Sequence, residues 1–251
     1  MGELKAQMIK LELNFDNSTN AESSTSPAID GNAVLPAVTS VVYNEDCKEG
    51  LKRFPDKYFD LAVIDPPYGI NADLNQLALS NKKGFTKGAG TYKEYHKTNW
   101  DAETPDDEFF IELMRVSKNQ IVWGGNYFHN LHLTGVIVWN KKGSGNFKEG
   151  ELAKTSLNTF KVFDYSRADA YINDCDMKIH PTQKPVKLYE WIYQHYAKEG
   201  DLILDTHCGS GSSRIAADLA GLSYVGFEID KTYFDAQEKR FNIFKSQLRM
   251  F

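Results

Sequence analysis

Asp60-Leu-Ala-Val-Ile-Asp-Pro-Pro-Tyr-Gly69 decides how the rest of the chain is read. Its first half is an apolar run of strand length, and its second half is polar and turn-forming. An apolar strand that delivers polar residues at its C-terminal end is where open α/β sheets place ligands. Pro66 and Pro67 fix φ and carry no N–H, so they present carbonyls without competing donors. Asp65 adds a carboxylate acceptor and Tyr68 a flat face. Together they suit a planar ring bearing an exocyclic amine, with two acceptors for its two N–H groups and one ring to stack on. The same residues are also ordinary at a strand-ending turn, so this stretch is not decisive alone.

Working outward, the spacing predicts strands at Val41–Tyr43, Leu61–Ile64, Gln120–Trp123, Val136–Trp139, Leu202–Leu204 and Tyr224–Phe227. It predicts helices at Pro105–Val116, Pro185–Tyr196, Ser212–Ala220 and Tyr233–Gln247, the first with Thr104 as N-cap and Pro105 at its first position. Strand and helix alternate, which implies an α/β fold with a mostly parallel twisted sheet and helices on both faces. Residues 1–39 are expected to be a flexible N-terminal segment, because the stretch from Asn17 to Thr39 is rich in Ser, Thr, Asn and Ala. Residues 40–251 are expected to be the folded domain. The stretches at about 71–101 and 143–180 depart from the alternation and read as insertions.

Composition sets outer limits. The chain has 251 residues, 41% hydrophobic and 25% charged, which excludes collagen, coiled coil and wholesale disorder. No apolar run is long enough to span a membrane, and no secretory signal is visible at the N-terminus. Three cysteines without a CxxC pair argue against a disulfide framework or a zinc site, and no metal is expected. A cytoplasmic location follows as the expectation. The net charge of −5 argues against nonspecific nucleic-acid binding driven by charge alone.

A second constellation, Asp205-Thr-His-Cys-Gly-Ser-Gly-Ser-Ser213, follows the apolar Leu202-Ile-Leu204 and precedes a helix. Gly209 and Gly211 let backbone approach a ligand closely, and Ser212 is placed to cap the helix. Arg214 stands where a dinucleotide fingerprint has its third glycine, which favours a nucleoside over a pyrophosphate cofactor. Glu228 ends the next strand, near the spacing of an acid that binds ribose hydroxyls.

The two constellations together resemble the DNA amino-methyltransferases that use S-adenosylmethionine, specifically adenine-N6 enzymes of the permuted "beta" order. The resemblance covers roughly Val41 to Phe251, and the tetrad preceding the glycine loop marks the permuted order. It implies a Rossmann-like methyltransferase fold. Asp65-Pro66-Pro67-Tyr68 is identical to the family's catalytic tetrad, and Asp at its first place favours adenine over cytosine. Asn44-Glu45-Asp46-Cys47 resembles the family's Gly-Asp-Cys segment, so Asp46 would accept from the cofactor's adenine amine with Cys47 beside it. His180-Pro181-Thr182-Gln183-Lys184-Pro185 matches a segment that contributes to the cofactor pocket. Asp205, Gly209, Ser210, Gly211 and Ser212 match the loop under the methionine part, and Glu228 the ribose acid. Thr206 and His207 depart from the Pro and Phe common at those places.

The implied partner is DNA, its target base flipped out and stacked on Tyr68, with a homodimer or a specificity-giving partner as a further expectation and a nucleoid-associated location. Cytosine-N4 or RNA-adenine transfer, and a non-catalytic binding subunit, are the competing readings. None of Cys47, Cys175 or Cys208 follows a proline, against a cysteine-nucleophile mechanism at cytosine C5. Lys82, Lys83, Lys87, Lys93 and Lys97, interleaved with Phe85, Tyr92 and Tyr95, suit a DNA clamp and a merely solvated loop equally. Lys141 and Lys142 tilt toward DNA. His129, His132 and His195 read as surface or helix-packing residues, and Trp123 and Trp139 as core. The recognition candidates are the insertions at 71–101 and 143–180.

Overall fold

The computed structural model describes residues 39–71, 101–143, 149–166, 168–170 and 178–248. Among the described residues eight strands form one sheet: β1 (Ser40–Tyr43), β2 (Phe59–Ile64), β3 (Ser117–Trp123), β4 (Gly135–Asn140), β5 (Gly150–Thr155), β6 (Phe160–Asp164), β7 (Leu202–Asp205) and β8 (Ser223–Phe227). Their order across the sheet is β1-β8-β7-β2-β3-β5-β4-β6. All neighbours run parallel except the two pairings of β5, which is antiparallel to both β3 and β4. The helices are α1 (Cys47–Leu51), α2 (Asp107–Val116), α3 (Val186–Tyr196), α4 (Ser212–Leu219) and α5 (Lys231–Leu248).

Side-chain alternation along β2 builds the two cores. Leu61 and Val63 face one side, where they pack with Leu188 and Ile192 of α3, Ile215 and Ala216 of α4, and Phe241 of α5. Ala62 and Ile64 face the other, with Leu51 of α1, Phe54, and Phe109 and Leu113 of α2. Residues 61–64 are buried on both faces of the sheet, which is why they read as an unbroken apolar run after Asp60. The fold is thus a Rossmann-like α/β architecture, with helices on both faces of a mostly parallel sheet.

Two caps differ from expectation. Helix α2 is capped by Asp106, not Thr104, because the Asp106 carboxylate reaches the Phe109 N–H at 3.0 Å and is itself held by Lys48 at 2.5 Å. Helix α4 begins from Gly211, which has φ of 71°, and not from a Ser212 cap. The Ser212 hydroxyl instead accepts from Arg240 at 2.9 Å and lies 3.1 Å from Ser210 Oγ. The expected flexible stretch, through residue 38, and residues 72–100 lie outside the described residues. Within 143–180, residues 150–155 and 160–164 are not a departure from the sheet but two of its strands.

Arg214 explains the missing third glycine. Its buried guanidinium bonds the Ser40 hydroxyl and carbonyl on β1, and Gln237 and Glu238 on α5. It also lies 3.9 Å over the Phe241 ring, so it ties three elements behind the glycine loop.

The chain leaves β2 toward β3 through α2 on one face, and leaves β7 toward β8 through α4 on the other. The neighbouring strands β2 and β7 therefore form a topological switch point, and the crevice beyond their C-terminal ends is where such folds hold ligands. Asp65 and Asp205 stand at those two ends. Among the described residues no helix is long and apolar enough to cross a membrane. Leu113, fully buried against the α1 side, should cost about 2–5 kcal/mol when changed to Ala, read from the midpoint of urea unfolding.

Candidate active site

Asp65 emerges from β2 with both carboxylate oxygens engaged. The Tyr68 hydroxyl donates to Oδ1 at 2.5 Å, and the Lys184 ammonium meets Oδ2 at 2.5 Å. Lys184 also donates to Tyr68 Oη at 3.2 Å and lies 3.2 Å from Glu151 Oε2, while Lys141 pairs with the other oxygen of Glu151. Four side chains of alternating sign thus run from β4 to the tetrad. Burial pushes the Asp65 carboxyl above its usual range, against the pull of Lys184. Burial also opposes charge on Lys184, yet Asp65 and Glu151 hold its titration above the ordinary lysine value. Glu151 is brought down to about 2: burial works upward, and the two lysines outweigh it. The Tyr68 phenol is pushed well up by burial and by Asp65, and so remains a donor.

The tetrad loop is fixed from outside. Asp101 is buried and accepts from the Tyr68 N–H at 2.6 Å and the Gly69 N–H at 3.1 Å. The Tyr68 ring stacks on Tyr127, with centroids 5.0 Å apart and planes 11° from parallel. It also lies against Gly124, where a Cβ would sit 2.2 Å from the ring and the φ of 69° disfavours any side chain. One face of Tyr68 is therefore already taken by Tyr127, a contact no local sequence pattern announces.

At the other end of the crevice, the Glu228 carboxylate accepts from the Gly209 N–H at 2.8 Å and the Asp230 N–H at 2.9 Å. Burial raises its titration to about 7 despite these bonds. Asp205, raised by burial to about 6, accepts from the His207 N–H at 3.1 Å and the Tyr224 hydroxyl at 3.0 Å. His207 packs edge-on against Phe109 at 5.6 Å, and burial lowers it to about 4, so at neutral pH the ring is uncharged. His180 is likewise neutral, lowered to about 3 by burial and by Lys184. The glycines serve the loop's own turn: Gly209 and Gly211 have φ of 49° and 71°. Burial pushes the Cys47 thiol up to about 12 and that of Cys208 well above its usual range, so neither is a ready nucleophile.

One cavity joins the two ends. Of the residues singled out in the sequence, Asp46, Cys47, Asp65, Pro67, His180, Thr182, Lys184, Gly209, Ser210, Ser212 and Glu228 line it. Pro66, Tyr68, Pro181, Asp205 and Gly211 do not. The lining adds Glu45, Gln183, Tyr189, Thr206, His207, Cys208, Ile229, Asp230 and Tyr233. Asp46 also caps α1, its Oδ1 accepting from the Lys48 N–H at 2.8 Å. Lys141 does not face solvent as a DNA contact would: it is buried on Glu151 and lies 4.6 Å over the Trp139 ring. Lys142 is exposed, 3.8 Å from Asp164. The lysine-rich stretch at 82–97 lies outside the described residues. His129, His132 and His195 are exposed, and Trp123 and Trp139 buried, as expected. Among the described residues no cluster of three or more His, Cys, Asp or Glu is arranged to hold a metal ion.

The model of a DNA methylase family matches residues 138–239, the stretch that carries Lys184, the glycine loop and Glu228. Over that stretch the chain is similar to the N6/N4 DNA methylases. The type II methyltransferase M.HinfI of Haemophilus influenzae is 25% identical over 248 residues, covering 80% of this chain and 68% of that protein. The type II methyltransferase M2.MboI of Moraxella bovis is 23% identical over 262 residues, covering 83% and 92%. The M1.HpyAVI–SAM complex superposes with a TM-score of 0.54 at 16% identity, over 80% of this chain and all of that one. The cytosine-N4-specific PvuII DNA methyltransferase gives 0.52 at 16% identity, over 81% and 86%. These last two likenesses are of fold.

Asp101 generates a direct prediction. Asp101→Ala strands two backbone donors beneath the tetrad and should cost about 1–3 kcal/mol in urea unfolding, whereas Asp101→Asn keeps an acceptor and should recover most of it.

Proposed function

We propose that the chain transfers the methyl group of S-adenosylmethionine to the N6 amine of adenine in DNA, as an enzyme of the permuted order. The observation that carries this reading is the single cavity that has the Asp65 carboxylate at one end and Glu228 at the other. A nucleoside bound through its ribose at Glu228 would extend its far end toward Asp65. The donor set fits the cofactor. Glu45, Asp46, Asp65, Glu228 and Asp230 line the cavity against one lysine, Lys184, an acidic balance that suits a sulfonium and disfavours a pyrophosphate. Ile229, Tyr233 and His180 supply the apolar and aromatic surface that a purine ring needs.

When bound, S-adenosylmethionine supplies a methyl group already activated on a sulfonium. The protein's part is to make the amine a nucleophile, because its lone pair is delocalised into the ring. Asp65 Oδ1 and the Pro66 carbonyl accept the two N–H groups and draw the nitrogen toward tetrahedral geometry. Transfer of the methyl group to that nitrogen would break the carbon–sulfur bond and leave its electron pair on sulfur. The nitrogen, now cationic, gives up one proton, which Asp65 accepts. Positioning supplies much of the gain, on the order of 7–11 kcal/mol for well-aligned reactants.

A paired base cannot reach Asp65, so the target base is flipped into the crevice. Since Tyr127 covers one face of Tyr68, the base stacks on the other face or displaces Tyr127. Residues 71–101 and 143–180 carry the readout of a short recognition sequence, alone or with a second subunit.

Incubation with methyl-labelled S-adenosylmethionine and unmethylated DNA, followed by nucleoside analysis, tests the reading. Label in N6-methyladenine is expected, and label in N4-methylcytosine would overturn the base assignment. Asp65→Asn should slow transfer by at least about 10²-fold while cofactor affinity stays within about threefold; near-normal turnover would remove Asp65 from the chemistry. Cofactor affinity should also depend on pH. Ribose hydroxyls donate to the ionised form of Glu228, so binding should weaken as pH falls below about 7, by up to about tenfold per pH unit, and level off above it. Glu228→Gln should flatten that dependence and weaken binding by about 1.5–3 kcal/mol, measured by calorimetric titration.

A further inference from the structure

Glu151 and Lys141 have no part in the transfer step itself. A buried lysine on a half-buried carboxylate is costly, and apolar residues in such places are often neutral or stabilising for the fold. Their position is specific. Because β5 runs antiparallel between β3 and β4, its first residues lie at the rim where β2 and β3 end. Glu151 is opposite Trp139 in that ladder, with Oε2 at 3.2 Å from Lys184 Nζ and its other oxygen on Lys141. Lys184 in turn lies 2.5 Å from the outer oxygen of Asp65.

Resting on the methyl-transfer reading, we propose that Glu151 is a positioning residue for the reaction. Anchored by Lys141, it holds the Lys184 ammonium on Oδ2 of Asp65 and shares its charge, so that Oδ1 stays a strong acceptor for the target amine. The reasoning is electrostatic. An ammonium divided between two carboxylates neutralises each of them only in part. Without Glu151 the ammonium belongs to Asp65 alone, and the carboxylate becomes a weaker base. The two oxygens of Asp65 then have different fates on substrate entry. The neutral Tyr68 hydroxyl on Oδ1 can yield to an amine N–H, whereas the ammonium on Oδ2 is pinned from behind.

The groups that face Asp65 are Tyr68 in its own loop, Lys184 ahead of α3, Tyr189 on α3, Glu151 on β5 and Asp205 at the end of β7. Those facing Glu151 are Lys184 and Lys141. The sign of the effect follows. The negative charge of Glu151 opposes ionisation of Asp65, so removing it moves the titration of Asp65 to lower pH.

The test compares wild type, Glu151→Gln, Glu151→Asp and the double variant Lys141→Met with Glu151→Gln, using methyl-labelled S-adenosylmethionine and unmethylated DNA. For Glu151→Gln, kcat should fall by at least about tenfold, within the roughly 10²–10⁴-fold that a positioned acid–base group contributes. KM for cofactor and DNA should stay within about threefold, and the acidic limb of kcat against pH should move to lower pH. Glu151→Asp should restore much of kcat. The double variant removes the orphaned ammonium and should fold, checked by circular dichroism and thermal unfolding, yet keep the defect. Wild-type kcat and an unmoved acidic limb in Glu151→Gln would overturn the inference, as would full activity in the double variant. If wild type itself transfers no methyl group to DNA, the functional reading fails. The inference is then decided by titrating the Asp65 carboxyl carbon by NMR in wild type and Glu151→Gln, where a lower midpoint upholds it and an unchanged one overturns it.

Discussion

A lysine ammonium held almost out of water sets the arrangement of the whole site. Lys184 is 4% exposed, and removing such a charge from solvent costs several kcal/mol unless its partners are well placed. Its partners are Asp65 and Glu151, with the Tyr68 hydroxyl within hydrogen-bond reach and the rings of Trp123 and Tyr68 at 5.5 Å and 5.6 Å. These contacts come from β2, β3, β5 and the segment before α3. Satisfying the ammonium therefore fixes the mutual positions of elements far apart in the chain. The same condition fixes the aim of the tetrad, because the loop that carries Asp65 is held from the opposite side by Asp101.

The two ends of the cavity differ in electrostatic design. Around Asp65, charges alternate in sign, so the carboxylate sits in a nearly balanced field. Around Glu228, acids outnumber bases, and burial leaves the carboxyl poised near neutrality at about 7. In the methyl-transfer reading the second end accepts from neutral ribose hydroxyls, and the first accepts from a neutral amine. His180 and His207 also line the cavity and are neutral, so they add polarity without adding charge.

Much of this was legible in the sequence because it is local. The six strands read from the sequence are those with apolar runs; β2, β7, β8 and the end of β3 are buried nearly throughout, whereas β1 buries only Val42 and β4 alternates. The tetrad and the glycine loop are contiguous, so their chemistry shows in a few residues. Strands β5 and β6 were not legible, because Glu151, Lys154, Lys161 and Asp164 interrupt any apolar pattern. In β5 those charges are satisfied by partners on other elements, and β6 is an edge strand with most of its side chains exposed. The five-residue α1 is too short for a period to register. The pairing of Lys184 with Glu151 is nonlocal. Its one trace in the sequence is a lysine and an acid, Lys141 and Glu151, on either side of a glycine-rich stretch after Trp139, the pattern of a hairpin.

The antiparallel course of β5 has a consequence for what the chain can tolerate. Glu151 is placed by the ladder from Gly135 opposite Thr155 to Asn140 opposite Gly150, and not by the connection that closes the hairpin. A slip of one residue in that ladder would turn Glu151 to the opposite face of the sheet and Gly150 or Leu152 toward Lys184. Length in the connection and phase in the strand are therefore separate variables. Descendants of this sequence can vary residues outside the ladder without moving Glu151. An insertion or deletion inside the ladder is closed to them, because it would exchange a fixed carboxylate for an apolar or absent side chain.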